Sequence, residues 1–174
     1  MSSSQSSGGR RRSALITGCS AGGIGASLAQ SLVKSGYLVF ASARNTNKIP
    51  EALSSRSDVV LVELDVTSTD SVIAALEVVK SSLVERHCKG LDVLVNNSGL
   101  GIYGPVLDVD IEQAKALSDV NFFGVIRTVK AFAPLLVEAK GAIVNISSAS
   151  GEINDPYASI YNASKAALNI ASEA

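Results

Sequence analysis

Cysteine and histidine are scarce in this sequence. Its 174 residues include two cysteines, Cys19 and Cys88, and a single histidine, His87. Two cysteines cannot build a disulfide framework, and Cys19 stands in a glycine-rich segment where a bridge would obstruct a ligand. His87 and Cys88 lack further residues at metal-ligand spacing, so we expect no metal site. We expect a reducing compartment: the cytoplasm, or alternatively the cytosolic face of the endoplasmic reticulum or of a lipid droplet.

The chain also lacks a charge surplus and long apolar runs. Its 15 basic and 16 acidic residues give a net charge of −1, which provides no large field for holding nucleic acid. No run approaches the ~18 apolar residues that indicate a transmembrane segment, so any membrane contact is expected to be peripheral. These absences favour a protein that acts on small molecules.

Residues 1–12 are polar, with little apolar surface to offset the entropy lost on ordering. We expect a disordered tail here and a single domain over residues 13–174, a length that can bury a sizeable core. We do not expect the arginines at 10–12 to begin a secretory signal, because the apolar stretch behind them is much shorter than the ~7 to 15 residues of such a signal.

Five short apolar runs predict β-strands, and helical patterns separate them. Runs that are apolar without strict alternation are typical of strands covered on both faces, as in a parallel sheet. The predicted strands span residues 14–17, 37–42, 59–64, 91–96 and 142–147.

Apolar residues three and four positions apart predict helices over residues 24–34, 71–84 and 111–137. Gly36 follows the first helix where a C-cap is expected, and Thr67 or Ser68 can cap the second. Pro134 is expected to kink or end the third near its last turn. The alternation of strands and helices predicts a doubly wound α/β sheet that binds ligands at the carboxyl ends of its strands.

A glycine-rich turn joins the first strand to the first helix. Glycines let the backbone turn tightly and approach a pyrophosphate, which the amino end of the helix then faces. Such a turn is a weak signal alone, but the strand before it, the helix after it and a second strand about twenty residues on make it more specific. The expected cofactor contacts are Gly18, Ser20, Gly22, Gly23, Ile24 and Gly25.

Arg44 follows the second strand, and no acidic residue stands at the end of that strand. Folds that prefer NAD usually carry a carboxylate here for the ribose 2′-hydroxyl, whereas a guanidinium suits the 2′-phosphate of NADP. We therefore expect NADP(H) rather than NAD(H). The alternative is that Arg44 is a solvated loop charge.

Polar residues also follow the third and fourth strands. Asp65 could accept a hydrogen bond from an adenine amino group, although a turn carboxylate before Thr67 explains it equally well. In the run Asn-Asn-Ser-Gly at 96–99, the Asn97 amide is expected to bridge neighbouring backbones, and Gly99 to let the cofactor come close.

Tyr161 and Lys165 stand four residues apart, so a helix would bring them to one face. An ammonium about 5 Å from a phenol, at an effective dielectric of ~20, favours the phenolate by roughly 3 kcal/mol and moves the phenol pKa from ~10 toward neutral pH. Tyr161 would then act as an acid and base near working pH. Tyr157 has no such lysine.

These features, with Asn121 and Ser148, follow one another as they do in the short-chain dehydrogenase/reductase family, which the chain resembles from residue 14 to residue 174. The resemblance implies a Rossmann-type sheet of strand order 3-2-1-4-5 and the interconversion of carbonyls and alcohols with NAD(H) or NADP(H). Within the family, the glycine-rich turn and residues 36–44 are most similar to fungal NADPH-dependent 1-acyl-dihydroxyacetone-phosphate reductases.

By this resemblance Tyr161 is the proton donor, and Lys165 binds the cofactor ribose and lowers the tyrosine pKa. Ser148, rather than its neighbour Ser147, orients the substrate oxygen, and Asn121 anchors a proton-relay water. The resemblance also implies a homo-oligomer, and a family sheet with two further strands and a substrate lid that this chain is expected to lack.

The glycine-rich turn is one residue longer than the family's usual turn, so either Gly22 or Gly23 could face the pyrophosphate. Two other functions stay open. The chain could bind a dinucleotide without turnover, because a fifth strand without a neighbour leaves an unpaired edge. A nucleotide-sugar epimerase would need a C-terminal substrate domain. Glu152 and Asp155, after the fifth strand, disfavour a phosphate-ester substrate because their carboxylates would repel it.

Overall fold

The computed structural model describes residues 10–173. Within this range, five strands are interspersed with six α-helices: β1 (Ser13–Ile16), α1 (Ile24–Lys34), β2 (Leu38–Ala43), α2 (Glu51–Ser54), β3 (Val59–Glu63), α3 (Thr69–Glu85), β4 (Val93–Asn96), α4 (Ile111–Ser118), α5 (Gly124–Ala139), β5 (Ala142–Asn145) and α6 (Ser159–Glu173). Every predicted strand is present, with small shifts at its ends. The short helix α2 is not predicted by the sequence pattern.

The strands form one parallel sheet in the order β3-β2-β1-β4-β5, which confirms the predicted doubly wound, Rossmann-type topology. The register aligns Ile16 of β1 with Ala41 of β2 and with Val95 of β4. Because all strands run in one direction, the segments after β1, β2, β3 and β4 all leave the sheet where the carboxyl ends of the strands meet. Ligands of such sheets bind at these carboxyl ends.

Helices cover both faces of the sheet. Leu15 and Phe40 belong to an apolar layer that includes α3 and α5, whereas Ile16 and Val39 belong to a second layer that includes α1. All four side chains are fully buried. Burial on both faces explains why the strand sequences are apolar without alternation.

Two predicted helix ends are clear in the structure. Ser68 is the N-cap of α3, and its Oγ accepts a hydrogen bond from the Ser71 N–H at 3.2 Å. Thr67, the other predicted cap, instead donates to Asp65. Gly36 lies just after α1 with a φ of +82°, a left-handed conformation that favours glycine.

The predicted helix over residues 111–137 is divided by a π-helical turn, Asp119–Phe123, which separates α4 from α5. Pro134 does not end the helix at its own position, because α5 continues to Ala139. Packing holds the turn around Pro134 in place: Phe132 is fully buried, and the Leu135 carbonyl accepts a hydrogen bond from the Leu91 N–H at 3.0 Å.

The continuous stretch Ile111–Ala139 is long and apolar enough, by length and composition, to cross a membrane. The sequence pattern alone does not indicate this candidate. In this fold the α5 part of the stretch lies against the sheet: Phe132 and Leu136 pack in the apolar layer beneath it, and Thr128 is fully buried. The most apolar window of the stretch is 39% buried. Core helices of globular domains commonly satisfy the same criteria.

The tail expected at residues 1–12 lies outside the described residues as far as residue 9. Arg10 forms an ion pair with Asp92, just before β4. The Arg12 guanidinium lies 4.4 Å from the centroid of the Tyr37 ring. Residues 10 and 12 are therefore held against the domain.

Candidate active site

Side chains tie the carboxyl end of β1 to that of β4. Thr17 Oγ1 accepts hydrogen bonds from the N–H groups of Asn97 and Ser98, both at 2.9 Å. Asn97 Nδ2 donates to the carbonyl oxygens of Thr17 and Gly18 at 2.8 and 3.1 Å. The Asn97 amide therefore bridges the two strand ends and fixes the start of the glycine-rich turn.

Close packing requires glycine at position 25 of this turn. A Cβ there would lie 2.5 Å from the Gly18 carbonyl oxygen and 2.6 Å from Asn97 Nδ2. Those atoms belong to the bridge between β1 and β4, so they cannot move freely. Gly25 thus allows α1 to approach the strand ends.

Gly22 and Gly23 have different roles in the backbone. Gly22 has a φ of +78°, and a Cβ there would meet nothing within 4 Å. Gly23 has an extended backbone and is the N-cap of α1, with no side-chain hydrogen bond at the cap. The first N–H groups of α1 therefore have no side-chain acceptor, which is the arrangement that binds an anion at a helix amino end.

A cleft of about 450 Å³ lies beside this turn, at the carboxyl edge of the sheet. The predicted cofactor residues that line it are Gly18, Ser20, Gly23, Ile24, Arg44, Asp65, Asn97 and Gly99. The predicted residues Gly22, Gly25, Tyr161 and Lys165 do not line it. The cleft is also lined by residues not singled out from the sequence: Ala43, Asn45, Lys48, Leu64, Val66, Ser98, Leu100 and Val120.

Lys48 is the most informative of these additional residues, because it gives the cleft a second cation beside Arg44. Neither side chain forms an ion pair within residues 10–173. The Lys48 carbonyl accepts a hydrogen bond from the Ala21 N–H at 2.8 Å, which ties this segment to the glycine-rich turn. Two cations that line one cleft without ion-pair partners in residues 10–173 fit a phosphate group.

Asp65 has the turn role that the sequence allowed and also lines the cleft. Its Oδ1 accepts hydrogen bonds from the Thr67 N–H at 2.9 Å and the Thr67 hydroxyl at 2.7 Å. Partial burial raises the pKa of Asp65, but the Thr67 hydrogen bonds and the positive charges of Arg44 and Arg127 outweigh it, so the pKa lies below its ordinary value. Asp65 therefore carries a negative charge at neutral pH.

Asn121 lies in the π-helical turn and is 1% exposed. Its Oδ1 accepts a hydrogen bond from the Leu100 N–H at 2.8 Å, and its Nδ2 donates to the Leu100 carbonyl at 2.9 Å and to Ser164 Oγ at 3.0 Å. Both amide hydrogens are thus used. A relay water would have to bond to the backbone carbonyl of Asn121 or to a free lone pair of Oδ1. π-Helical turns of this kind often mark functional sites.

Lys165 lies between Gly99, which lines the cleft, and the ring of Tyr161. It is 5% exposed, and its Nζ donates a hydrogen bond to the Ile146 carbonyl at 2.8 Å. The same Nζ lies 5.8 Å from the centroid of the Tyr161 ring, and a Cβ on Gly99 would lie 3.8 Å from it. Burial lowers the pKa of Lys165 below its ordinary value.

Ser147 and Ser148 follow β5, which ends at Asn145 instead of at Ser147 as predicted. Ser147 donates to Asn169 Oδ1, so its hydroxyl is bound to α6. Ser148 begins a short turn, where its Oγ accepts a hydrogen bond from the Ser150 N–H at 3.2 Å. The two hydroxyls therefore have separate partners.

Two neighbours of the predicted catalytic residues have no clear signal in the sequence. The Tyr103 ring lies 6.1 Å, centroid to centroid, from the Tyr161 ring and is 72% exposed. Ser164 accepts the hydrogen bond from Asn121. Tyr103 meets Tyr161 because the loop after β4 folds onto α6, and Ser164 meets Asn121 because α6 packs against the π-helical turn. Within residues 10–173, no three His, Cys, Asp or Glu side chains lie close enough to hold a metal ion.

The residues present fit a dinucleotide. The open amino end of α1 suits a pyrophosphate, the two cations suit a further phosphate, and the ammonium of Lys165 suits ribose hydroxyls beside Gly99. Asp65 keeps acceptor capacity for an amino group. The buried ammonium next to a tyrosine is an arrangement that can move a proton at the far end of such a ligand.

Known proteins with similar sequences include short-chain dehydrogenases and reductases. A Penicillium ochrochloron protein, "Short-chain dehydrogenase ptmH", is 44% identical over 164 residues, covering 94% of this chain and 58% of the relative. The "NADPH-dependent 1-acyldihydroxyacetone phosphate reductase" of Schizosaccharomyces pombe is 42% identical over 155 residues, covering 88% of this chain and 50% of the relative. The chain thus spans about half the length of these curated relatives.

Solved structures with a similar fold also include short-chain dehydrogenases. A short-chain dehydrogenase from Burkholderia cenocepacia in complex with NADP is 32% identical, with a TM-score of 0.80, covering 94% of this chain and 65% of that one. The short chain dehydrogenase family model matches residues 12–174, nearly the whole sequence. The chain therefore belongs to the short-chain dehydrogenase/reductase family.

Proposed function

We propose that this chain carries the coenzyme-binding and proton-transfer residues of an NADP(H)-dependent oxidoreductase that interconverts a ketone and a secondary alcohol. The main support is the position of Lys165. Its buried ammonium lies beside Gly99, a wall of the cleft, and beside the Tyr161 ring. The Lys165 ammonium can therefore contact a bound dinucleotide and also stabilise the phenolate form of Tyr161.

Each residue has a defined task in this proposal. The bound coenzyme supplies the hydride. Tyr161 gives its hydroxyl proton to the carbonyl oxygen, and the positive charge of Lys165 stabilises the phenolate that remains. Ser148 donates a hydrogen bond to the same oxygen and fixes its position. Asn121, buried with both amide hydrogens bonded, holds the Leu100 segment against α6, and its backbone carbonyl or the free lone pair of Oδ1 anchors the water that returns a proton.

NADP(H) is favoured over NAD(H) because Arg44 and Lys48 line the same cleft without ion-pair partners in the described part of the chain. The cleft also lacks a carboxylate directly after β2, where Ala43 is followed by Arg44. The relative from Schizosaccharomyces pombe is named as NADPH-dependent, and the Burkholderia cenocepacia structure contains NADP.

For the substrate we favour an uncharged ketone. The S. pombe relative is named for an acylated dihydroxyacetone phosphate, but Glu152 and Asp155 are exposed in the segment between Ser148 and Tyr161. Their charges would repel a phosphate. A cytoplasmic location and assembly into a homo-oligomer stay predictions from the sequence.

A second candidate function is dinucleotide binding without turnover. Its support is the exposure of β5, where Ile143 and Val144 are 43% and 42% exposed and the sheet has no strand beyond β5 within residues 10–173. An open apolar edge is costly unless something covers it. In this second candidate the cleft binds coenzyme without turning over a ketone.

Binding and turnover measured separately distinguish the two candidates. NADPH binding is followed by the enhancement of its fluorescence, and turnover by NADPH oxidation with cyclohexanone, acetophenone and ethyl acetoacetate. Binding with turnover supports the oxidoreductase. Binding without turnover of any uncharged or phosphorylated ketone supports the silent form, and absence of NADPH binding would contradict both.

A further inference from the structure

Ser148 is the first member of a chain of hydrogen bonds that leads away from the proposed active site. Its hydroxyl donates to Ser150 Oγ at 3.1 Å, and the Ser150 hydroxyl donates to Asp155 Oδ2 at 2.5 Å. An ionised carboxylate only accepts hydrogen bonds, so the Ser150 proton is committed to Asp155. The Ser150 oxygen can then act toward Ser148 only as an acceptor.

The position of Asp155 is fixed from α6. Asn162, 8% exposed, donates from Nδ2 to the Asp155 carbonyl oxygen at 3.0 Å. The Ala158 N–H donates to the same oxygen at 3.4 Å. The backbone of Asp155 is therefore anchored just before α6, and its side chain reaches back to the turn that holds Ser148.

The direction of these hydrogen bonds determines which substrate group Ser148 can bind. A hydroxyl has one hydrogen and two lone pairs. The Ser148 hydrogen is directed at Ser150, and one lone pair accepts the Ser150 N–H at 3.2 Å. The group left free is a lone pair, which can accept a hydrogen bond from an alcohol but cannot donate one to a carbonyl. To bind a ketone, Ser148 must turn its hydrogen away from Ser150.

We infer that Ser150 and Asp155 are positioning residues that bias Ser148 toward binding the alcohol rather than the ketone. This inference rests on the proposed oxidoreductase function. It concerns the two bound states and not the overall equilibrium, which the enzyme cannot change. Neither residue touches the reacting atoms; both act through the orientation of the Ser148 hydroxyl.

Complexes that cannot react provide the test. Ketone is titrated into protein saturated with NADP⁺, and alcohol into protein saturated with NADPH, so dissociation constants are measured without turnover. The probes are cyclohexanone with cyclohexanol, acetophenone with 1-phenylethanol, and ethyl acetoacetate with ethyl 3-hydroxybutyrate; the pair that the unsubstituted protein binds most tightly is used for all variants.

Ser150→Ala removes the acceptor of the Ser148 hydrogen. The ketone is then expected to bind about two- to tenfold more tightly, the effect of one neutral hydrogen bond, while alcohol binding stays within about twofold. Asp155→Ala frees the Ser150 hydrogen to donate to Ser148. The ketone is again expected to bind more tightly, and the alcohol more weakly because both Ser148 lone pairs are then occupied.

Two variants serve as controls. Ser150→Thr keeps the hydroxyl and should restore the original affinities, and Glu152→Gln changes a nearby exposed carboxylate whose side chain makes no hydrogen bond in the described structure. Unchanged or weakened ketone binding in both Ser150→Ala and Asp155→Ala would overturn the inference. So would parallel weakening of ketone and alcohol, which indicates a loosened loop. Failure of the proposed function is distinct, because it appears as loss of NADP(H) binding or turnover in the unsubstituted protein.

Discussion

The Lys165 ammonium donates a hydrogen bond to the carbonyl oxygen of Ile146, 2.8 Å away, and so joins α6 to the segment that follows β5. This bond holds a buried cation at the junction of the coenzyme cleft and Tyr161. Burial lowers the Lys165 pKa from its ordinary value of 10.5, which means that the folded protein accommodates the charge at a cost.

The first prediction concerns the pH dependence of stability. Below the lowered pKa, Lys165 is charged in both states, and the folded state bears the full cost. As the pH rises from that value toward 10.5, the folded state loses the proton first and the cost disappears. The free energy of unfolding of the unsubstituted protein should therefore rise relative to that of Lys165→Met over this interval.

Urea denaturation of both proteins between pH 7 and pH 10.5 measures this difference, and the subtraction cancels groups common to both. Lys130→Met, at an exposed position on α5, is the matched control for replacing a surface lysine. A difference for Lys165→Met that is constant, or that falls with pH, would show that the ammonium is not buried at a cost.

The second prediction concerns coenzyme preference. Arg44→Ala removes a guanidinium expected to bond to the 2′-phosphate, a charged hydrogen bond contributing about 1.5–3 kcal/mol. The dissociation constant for NADPH should rise roughly 10- to 100-fold, and that for NADH should change little. Lys48→Ala should act in the same direction with a smaller effect, because an ammonium makes a point contact.

Fluorescence titration with both coenzymes measures these constants. Lys80→Ala, on α3 and paired only with exposed Glu77, is the control for loss of a surface charge. Equal weakening of NADPH and NADH by Arg44→Ala would place this side chain outside the 2′-phosphate site.

The third prediction separates the two adjacent glycines. Gly22→Ala meets no neighbouring atom but forces alanine into the left-handed region, which costs about 1–2 kcal/mol of stability. Gly23→Ala places a methyl group on the wall of the cleft and 3.2 Å from the Ser20 carbonyl oxygen. We expect Gly22→Ala to lower stability with little effect on NADPH affinity, and Gly23→Ala to weaken NADPH binding.

Thermal unfolding and NADPH titration of the two variants check this prediction. If Gly22→Ala weakens NADPH binding more than Gly23→Ala does, the assignment of Gly23 to the pyrophosphate is wrong. Gly36→Ala, also at positive φ but distant from the cleft, is the control for backbone strain alone.

The fourth prediction concerns the thiols. Burial raises the pKa of Cys19 to about 12, and its thiol donates to the Ile16 carbonyl oxygen at 3.3 Å. Cys88 is only partly buried. Partial burial also raises the pKa of Cys88, so a disulfide reagent at pH 8 should modify Cys88 more slowly than a free thiol but much faster than Cys19, which should react only on unfolding. Cys88→Ser should abolish the fast reaction in the folded protein; a fast reaction that persists would mean that the glycine-rich turn opens readily.

The sequence predicts the sheet well because its signals are local. The apolar runs of β1 to β5 indicate strands buried on both faces, and Gly36 marks the end of α1. The order of the strands follows from the family resemblance. Pro134 does not predict the end of α5 correctly. The packing of Phe132 and Leu136 offsets the backbone hydrogen bond that proline cannot donate, so α5 continues past it.

Features that depend on tertiary contacts are not predicted. Lys48 lines the cleft only because its segment bonds to the turn at Ala21, and Tyr103 meets Tyr161 only because the loop after β4 folds onto α6. The Ser150 to Asp155 bond likewise depends on how the loop before α6 folds. Periodicity and spacing carry no information about such contacts.

The central claim is that Tyr161 transfers the proton beside a coenzyme held partly by Lys165. The most direct measurement compares Tyr161→Phe with Tyr157→Phe, an exposed tyrosine four residues earlier, for NADPH affinity and for ketone reduction. Tyr161→Phe should keep the NADPH dissociation constant within about twofold and lower the reduction rate by roughly 10²- to 10⁴-fold, whereas Tyr157→Phe should retain the rate. Ketone reduction at an unchanged rate in Tyr161→Phe would contradict the account.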